Sequence, residues 1–240
     1  LRKLKSSMSK YKVGIVGCGG IAHFHGNNYN RFDEFEIVSV ADINQESVDQ
    51  YAEEFSVSGK YTNYLNMFEE EDLDVVSVCT WQGTHAEITI AAAGSGVKGI
   101  LCEKPMAVNA RQVADLVAAA QTTDTFLMEA MWTRHLPVYD DVRAWINEGR
   151  IGAPKLVDAS FGFRASYDRG SRLWSPELAG GSLLDLCAGG HGLRSLWRWR
   201  HTIAARWQRV AMGGCRPGVL VPGCFVPLPD RNDRLRPSSR

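Results

Sequence analysis

The sequence predicts an α/β protein with an N-terminal doubly wound parallel sheet, followed by the start of a truncated α+β domain. Five short apolar runs alternate with segments of helical periodicity, at 13–16, 35–41, 75–79, 99–102 and 125–130. Parallel strands need helical crossovers of about this length, so the alternation indicates a parallel sheet. A predicted helix over 137–148 then leads into apolar and polar residues that alternate over 157–163, which is typical of a strand in an antiparallel sheet.

The first apolar run ends in a glycine-rich turn. Gly17, Gly19 and Ala22 have the G-x-G-x-x-A spacing with which a Rossmann fold turns a buried strand into a helix at a dinucleotide. Gly17 permits the tight turn, Gly19 lets backbone N–H groups approach a pyrophosphate, and Ala22 lets the helix pack on the strand. Gly20 and Ile21 begin that helix, whose N-terminal partial positive charge favours phosphates. The spacing alone also fits an ordinary glycine-rich loop.

The second apolar run ends in an acidic residue. Asp42 lies twenty positions after Ala22, where a carboxylate can accept hydrogen bonds from the adenosine ribose hydroxyls. The order of strand, glycine turn, helix, strand and acid favours the dinucleotide interpretation over the ordinary loop. The same carboxylate should repel the 2′-phosphate of NADP, so the predicted cofactor is NAD, with NADP as the alternative.

Periodicity and capping residues predict the helices between the strands. Four apolar residues of segment 44–55 have the i, i+3, i+4, i+7 spacing of a helix with one buried face, namely Val48, Tyr51, Ala52 and Phe55. Asn63 is a suitable cap for a short helix that carries Leu65 and Phe68, and Asn109 for a longer helix before the last strand.

Two further loops leave the carboxyl ends of predicted strands, the edge at which open α/β sheets bind ligands. Thr80 and Trp81 follow the third apolar run, with His85 opening the next helix, and Glu103 and Lys104 follow the fourth run. Lys104 is a candidate for exchanging a proton with a substrate oxygen, because a lysine at the mouth of a cofactor cleft can have its pKa lowered by loss of water or by other charges. Glu103 is placed to orient it. The alternatives are a polar helix end for His85 and a surface ion pair for Glu103 and Lys104.

Composition argues against several other classes of protein. A chain of 240 residues that is 45% hydrophobic buries the core of one large domain or two smaller ones. A net charge of zero gives no support for a nucleic-acid or membrane partner, and no apolar run has the length of a membrane span. We therefore expect a cytoplasmic protein without a signal peptide, with Met8 as its natural start. The six cysteines form no C-x-x-C pair, so we predict neither a disulfide framework nor a metal site.

Four motifs occur together in one order: VGCGGIA at 16–22, CT at 79–80 with His85, LCEKP at 101–105 and GGSLLDL at 180–186. With them, the chain resembles the glucose-fructose oxidoreductase and inositol dehydrogenase family (Gfo/Idh/MocA). The segment FLMEAMWTR at 126–134 is similar to the dihydrodiol dehydrogenase and xylose dehydrogenase branch. The resemblance covers about residues 11–186.

The resemblance implies an NAD(P)-dependent oxidoreductase that transfers a hydride between the nicotinamide and a hydroxyl-bearing carbon of a sugar, polyol or diol. It implies that Lys104 contacts the reacting hydroxyl, that the Thr80 segment, His85 and Glu103 border the dinucleotide, and that Arg134 lies near the active site. The dihydrodiol branch is associated with NADP, and family members are usually homo-oligomers. The predicted cofactor-binding residues are Gly17, Gly19, Gly20, Ile21, Ala22, Asp42, Thr80, Trp81, His85, Glu103, Lys104 and Arg134, and the predicted catalytic residues are Lys104 and Asp185.

The sequence departs from the family at two places. Trp81 replaces the usual proline, which changes the stiffness of the loop without removing a ligand group. After Asp185 the family continues as Asp-x-Gly-x-Tyr, or with histidine at the tyrosine position, which supplies a second catalytic group. Gly189 stands at that position here, and His191, two residues further on, is not equivalently placed. A catalytically incomplete dinucleotide-binding protein or a truncated remnant is therefore the alternative function.

The composition changes at residue 187. Segment 187–240 has no lysine or glutamate, and its ten arginines minus two aspartates give a local net charge of plus eight. An RNA-binding tail and a disordered appendage are two hypotheses, and out-of-frame translation from near codon 187 is the one we favour. It predicts that another reading frame of the gene resumes the Gly-x-Tyr sequence. The predicted organisation is a dinucleotide-binding domain at 1–134, the beginning of an α+β substrate and dimerisation domain at 135–186, and an atypical tail at 187–240.

Overall fold

A computed structural model describes residues 9–152, 156–159, 166–185 and 204–207. Six strands form one parallel sheet, namely β1 (Tyr11–Val16), β2 (Phe35–Ala41), β3 (Gly59–Tyr61), β4 (Val75–Val78), β5 (Gly99–Cys102) and β6 (Phe126–Glu129). Their spatial order is β3-β2-β1-β4-β5-β6, the order of the dinucleotide-binding Rossmann fold. The predicted parallel α/β sheet is confirmed. None of the helices within the described ranges is long and apolar enough to cross a lipid bilayer.

Five helices connect these strands, namely α1 (Gly20–Tyr29), α2 (Gln45–Phe55), α3 (Tyr64–Glu70), α4 (His85–Gly94) and α5 (Ala110–Thr122). The sheet has an apolar core on each face, because successive side chains of a strand point to opposite sides. Val13 and Ile15 of β1 belong to a cluster with Tyr51 and Phe55 of α2. Val16 belongs to a second cluster, which contains residues of α3 and α4.

Asparagine side chains cap three of the helices. The side chain of Asn44 accepts a hydrogen bond from the amide of Ser47 at the start of α2, and Asn63 and Asn109 cap α3 and α5 in the same way. The four apolar residues predicted for the buried face of α2 are all buried. In α3 the buried residue is Met67, whereas Leu65 is 45% exposed. The periodicity thus predicts the longer helix better than the helix of seven residues.

The contacts divide the chain into two compact units, with a boundary between Ala130 and Met131. The second unit contains a 3-10 helix (Trp132–His135), α6 (Pro137–Asn147), β7 (Leu156–Ala159), a 3-10 helix (Pro176–Leu178), α7 (Ser182–Asp185) and β8 (Ala204–Trp207). β7 pairs with β8 in parallel, so the antiparallel prediction is wrong for this pair. Alternation along one strand shows that its two faces differ, but it does not set the direction of the partner strand. Residues 160–163, Gly189, His191 and the rest of the arginine-rich segment apart from β8 lie outside the described residues.

Gly26 is the position of α1 at which we expect an added methyl group to destabilise the fold. A Cβ there would lie 2.5 Å from the Tyr51 hydroxyl and 2.7 Å from the Phe55 ring. Tyr51 is fully buried, and its hydroxyl donates to the Ala22 carbonyl at 3.0 Å. Because these groups have little room to move, Gly26→Ala should lower the free energy of unfolding by about 1–3 kcal/mol in urea denaturation.

Gly94→Ala is the matched control for this prediction. Gly94 also lies in a helix, but a Cβ at that position would meet no atom within 4 Å. We expect Gly94→Ala to leave stability unchanged or to raise it by about 0.5–1 kcal/mol. Equal destabilisation by the two substitutions would contradict the packing argument.

Candidate functional site

The glycine turn lies between the carboxyl ends of β1, β2 and β4. Gly17 has a φ of +91°, and its amide donates to the Ala41 carbonyl at 2.7 Å. A Cβ at Gly17 would lie 2.8 Å from the backbone of both Cys79 and Thr80. Glycine is therefore required here both by the backbone conformation and by the close approach of the neighbouring loop.

The start of α1 has the features of a phosphate-binding helix N-terminus. Gly19 is its N-cap and makes no side-chain capping bond, and the first turn has no acidic residue. A Cβ at Gly19 or Gly20 would meet no atom within 4 Å, so the space beside the turn is open. Ile21 is exposed, whereas Ala22 is fully buried against the core. Open space beside uncapped backbone N–H groups fits the pyrophosphate of a dinucleotide.

Asp42 holds the glycine turn against the end of β2. One carboxylate oxygen, Oδ2, accepts from the Cys18 amide at 2.8 Å, and Oδ1 accepts from the Asn44 amide at 2.9 Å. Each oxygen keeps a lone pair for a further donor. The carboxylate is therefore fixed beside the turn, and its role towards the ribose hydroxyls remains a prediction.

The loop after β4 joins two parts of the site through His85. The ring is only 1% exposed, with Nδ1 2.8 Å from the Pro105 carbonyl and Nε2 3.1 Å from the Thr80 carbonyl. The Thr80 hydroxyl accepts from the Thr84 hydroxyl at 2.8 Å, and Trp81 is 51% exposed. Thr80 is thus half-buried and Trp81 exposed, whereas the buried His85 ring contacts both loops.

Glu103 and Lys104 leave the carboxyl end of β5, at the same edge as the glycine turn. Glu103 is buried, and its Oε2 accepts from the Lys104 amide at 3.1 Å. Its Oε1 lies 3.0 Å from Nε2 of His25, on α1. His25 was not among the predicted site residues. The available signal was its position three residues after Ala22, which places both residues on the buried face of α1.

The buried cysteines near the site are not nucleophiles. Burial, reinforced by the negative charge of Asp42, raises the pKa of the Cys18 thiol to about 12. Burial and the charge of Glu103 raise the pKa of Cys79 well above its usual value. Both thiols are therefore protonated at neutral pH and behave as small apolar side chains. Within the described ranges, the structure contains no cluster of three or more His, Cys, Asp or Glu residues suited to a metal ion.

Two predicted site residues belong to the second unit. Arg134 lies in the first 3-10 helix, where its amide donates to the Met131 carbonyl at 3.0 Å. Asp185 ends α7, and Arg172 donates to its carboxylate at 3.4 Å. The roles of Arg134 and Asp185 remain predictions from the resemblance. The other predicted residues, from Gly17 to Lys104, are brought to one edge of the parallel sheet.

Comparison with known proteins connects this edge to an enzyme family. A family model described as an oxidoreductase family with an NAD-binding Rossmann fold (GFO_IDH_MocA) matches residues 11–131. Over 153 residues, the chain is 35% identical to trans-1,2-dihydrobenzene-1,2-diol dehydrogenase of Xenopus tropicalis. That alignment covers 64% of this chain and 46% of the relative, so the chain spans about half the length of the curated relatives it matches.

Solved structures share the fold. A mutant of the 3-ketoreductase KijD10 from Actinomadura kijaniata, in complex with TDP-benzene and NADP, is 27% identical with a TM-score of 0.68, over 74% of this chain and 54% of that one. The WlbA dehydrogenase from Chromobacterium violaceum, in complex with NADH and UDP-GlcNAcA, is 24% identical with a TM-score of 0.60, over 64% of this chain and 44% of that one. One neighbour holds NADP and the other NADH, so the likeness does not choose between the two cofactors.

Proposed function

Because the chain belongs to the Gfo/Idh/MocA family of NAD-binding oxidoreductases, we propose that it is a nicotinamide-dependent dehydrogenase acting on a sugar, polyol or diol. One observation carries the proposal. Asp42 is fixed against the amide of Cys18, and the Lys104 segment is tied through Glu103 to His25 of α1. A dinucleotide-binding turn and a lysine suited to proton transfer therefore share one edge of the sheet.

Each part of this edge has a distinct task in the proposed reaction. The N–H groups from Gly19 to Ile21 bind the pyrophosphate, and Asp42 accepts hydrogen bonds from the adenosine ribose. The nicotinamide, when bound, accepts or supplies the hydride at the substrate carbon. In the oxidation direction, the Lys104 side chain takes the hydroxyl proton as the carbon loses its hydride, which leaves a carbonyl group.

The proposed cofactor is NAD rather than NADP. Two backbone amides hold the Asp42 carboxylate, so it cannot swing away from a 2′-phosphate without losing both hydrogen bonds. The next residue, Ile43, is 93% exposed and apolar, whereas accommodation of a 2′-phosphate calls for a nearby arginine. A cytoplasmic location and the out-of-frame origin of 187–240 remain predictions from the sequence.

Cofactor titration tests this proposal. The titration is followed by nicotinamide fluorescence. We expect the chain to bind NADH at least about tenfold more tightly than NADPH, because the 2′-phosphate meets a fixed carboxylate. Asp42→Asn removes the charge and one of the two accepted hydrogen bonds, and should reduce the preference to about threefold or less. Failure to bind either nucleotide would overturn the proposed function, and tighter binding of NADPH would overturn the choice of NAD.

Asp49→Asn is the matched control for the charge. Asp49 is an exposed acid of α2 that pairs with Lys60 at 3.0 Å on the protein surface. Exposed pairs of this kind contribute little to stability, because water and salt screen them. The control should leave the NADH to NADPH ratio unchanged, and a change equal to that of Asp42→Asn would assign the preference to overall charge.

A further inference from the structure

A buried chain of polar contacts joins helix α1 to the backbone of Lys104. It runs from Nε2 of His25 to Oε1 of Glu103, at 3.0 Å, and from Oε2 of Glu103 to the Lys104 amide, at 3.1 Å. The side chains of His25 and Glu103 are only 9% and 11% exposed. A hydrogen bond to a buried carboxylate is stronger than one between neutral groups, so these contacts restrain the Lys104 backbone.

The second ring nitrogen of His25 fixes the direction of the first contact. In the part of the chain that the structure describes, Nδ1 is buried and has no hydrogen-bond partner. A proton on Nδ1 would bury an N–H group without an acceptor, which costs more than an unpaired lone pair. The network therefore assigns the ring proton to Nε2, which donates to Glu103.

Pro105, which follows Lys104, also contacts a buried imidazole. Nδ1 of His85 lies 2.8 Å from the Pro105 carbonyl, and the His85 ring is almost completely buried. The residue before Lys104 thus contacts a histidine of α1, and the residue after it contacts a histidine of α4.

We propose that His25 is a positioning residue for Lys104 and acts through Glu103. The proposal rests on the proposed function, because a fixed backbone matters when Lys104 must reach a substrate hydroxyl in a defined geometry. Proton transfer needs the two heavy atoms at hydrogen-bond distance, and a catalytic group has to be held within about 0.5 Å of its productive position. His25 itself need not touch the substrate or the cofactor.

Amide hydrogen exchange measured by NMR tests this role in the full chain without a substrate. His25→Ala should accelerate exchange of the Lys104 amide by about tenfold to a hundredfold, because Glu103 is no longer held. The Cys18 amide, which donates to Asp42, is the internal reference and should keep its exchange rate. His25→Gln places an amide N–H near the position of Nε2 and should restore most of the protection.

Two results would overturn the proposal. The first is an unchanged exchange rate of the Lys104 amide in His25→Ala. The second is an equal acceleration of exchange at the Lys104 and Cys18 amides, which would show a general loss of stability. If His25→Ala does not fold, Glu103→Gln provides the same comparison. It replaces a charged acceptor by a neutral one and should accelerate exchange at Lys104 by about fivefold to tenfold, with Cys18 unchanged.

His23→Gln is the matched control on the same helix. His23 contacts Glu54 at 2.8 Å, but this pair lies on the protein surface. The control should leave exchange at Lys104 unchanged, and acceleration there would count against a specific role of His25.

NADH titration of the same variants separates this proposal from the proposed function. A chain that fails to bind NADH but shows the exchange pattern overturns only the proposed function, and a chain that binds NADH without the pattern overturns only the role of His25.

Discussion

Gly17→Ala is expected to prevent stable folding of the N-terminal unit. The backbone of Gly17 has a φ of +91°, which an alanine adopts only with strain, and the new Cβ would lie 2.8 Å from backbone atoms of Cys79 and Thr80. These atoms follow β4, which is paired with β1 in the middle of the sheet, so they cannot move without breaking strand pairing. Strain and overlap together should cost at least about 3 kcal/mol, a large part of the stability of a typical domain. Circular dichroism during thermal unfolding measures this loss.

Gly19→Ala separates the folding role of the turn from its binding role. A Cβ at Gly19 would meet no protein atom within 4 Å, and its φ of −77° suits any residue. We expect stability within about 0.5 kcal/mol of the unsubstituted chain. The methyl group would occupy the space that the pyrophosphate needs, so NADH affinity should fall by about a hundredfold or more. A Gly17→Ala chain of normal stability, or a Gly19→Ala chain of normal NADH affinity, would contradict this division of roles.

The sequence predicts most of the parallel sheet because its signals are local. β2 and β5 are found at their predicted bounds, since each is an apolar run between polar or glycine residues. Asn63 and Asn109 cap helices because a short side chain at these positions satisfies a backbone N–H group of the first turn. Gly17 has the positive φ that its place in the motif requires. In each of these cases, the type of residue at one position is enough to indicate its local steric or hydrogen-bonding role.

Features that depend on contacts distant in sequence were not predictable in this way. β3 has only three residues and no apolar run, and it is a strand because β2 offers it a free edge. The contact between His25 and Glu103 joins residues 78 positions apart. It depends on how α1 packs against the sheet, so a histidine in a helix gave no sign of its partner. The burial of His85 likewise follows from two loops that the sequence does not bring together.

Lys104→Ala is expected to abolish turnover while cofactor binding persists. On a panel of sugars, polyols and cyclic diols, the rate of NAD reduction should fall by about a hundredfold to ten-thousandfold, because the substrate proton loses its acceptor. The NADH dissociation constant should change by about threefold or less, since the glycine turn and Asp42 are untouched. Lys104→Arg keeps the positive charge, but an arginine does not give up its proton at neutral pH. Loss of turnover in both variants would assign proton transfer to Lys104, whereas activity in Lys104→Arg would show that charge alone suffices.

Lys98→Ala is the matched control, because Lys98 directly precedes the same strand and lies at its opposite end. Its ammonium group pairs with Asp74 at 2.5 Å and is largely exposed, so its removal should have little effect on stability and leave turnover unchanged. If the unsubstituted chain binds NADH but reduces NAD with none of the substrates, the catalytically incomplete dinucleotide-binding protein becomes the better interpretation. In that case Lys104→Ala should alter neither NADH binding nor stability. The glycine turn would still bind NADH, and Lys104 would take part in no reaction.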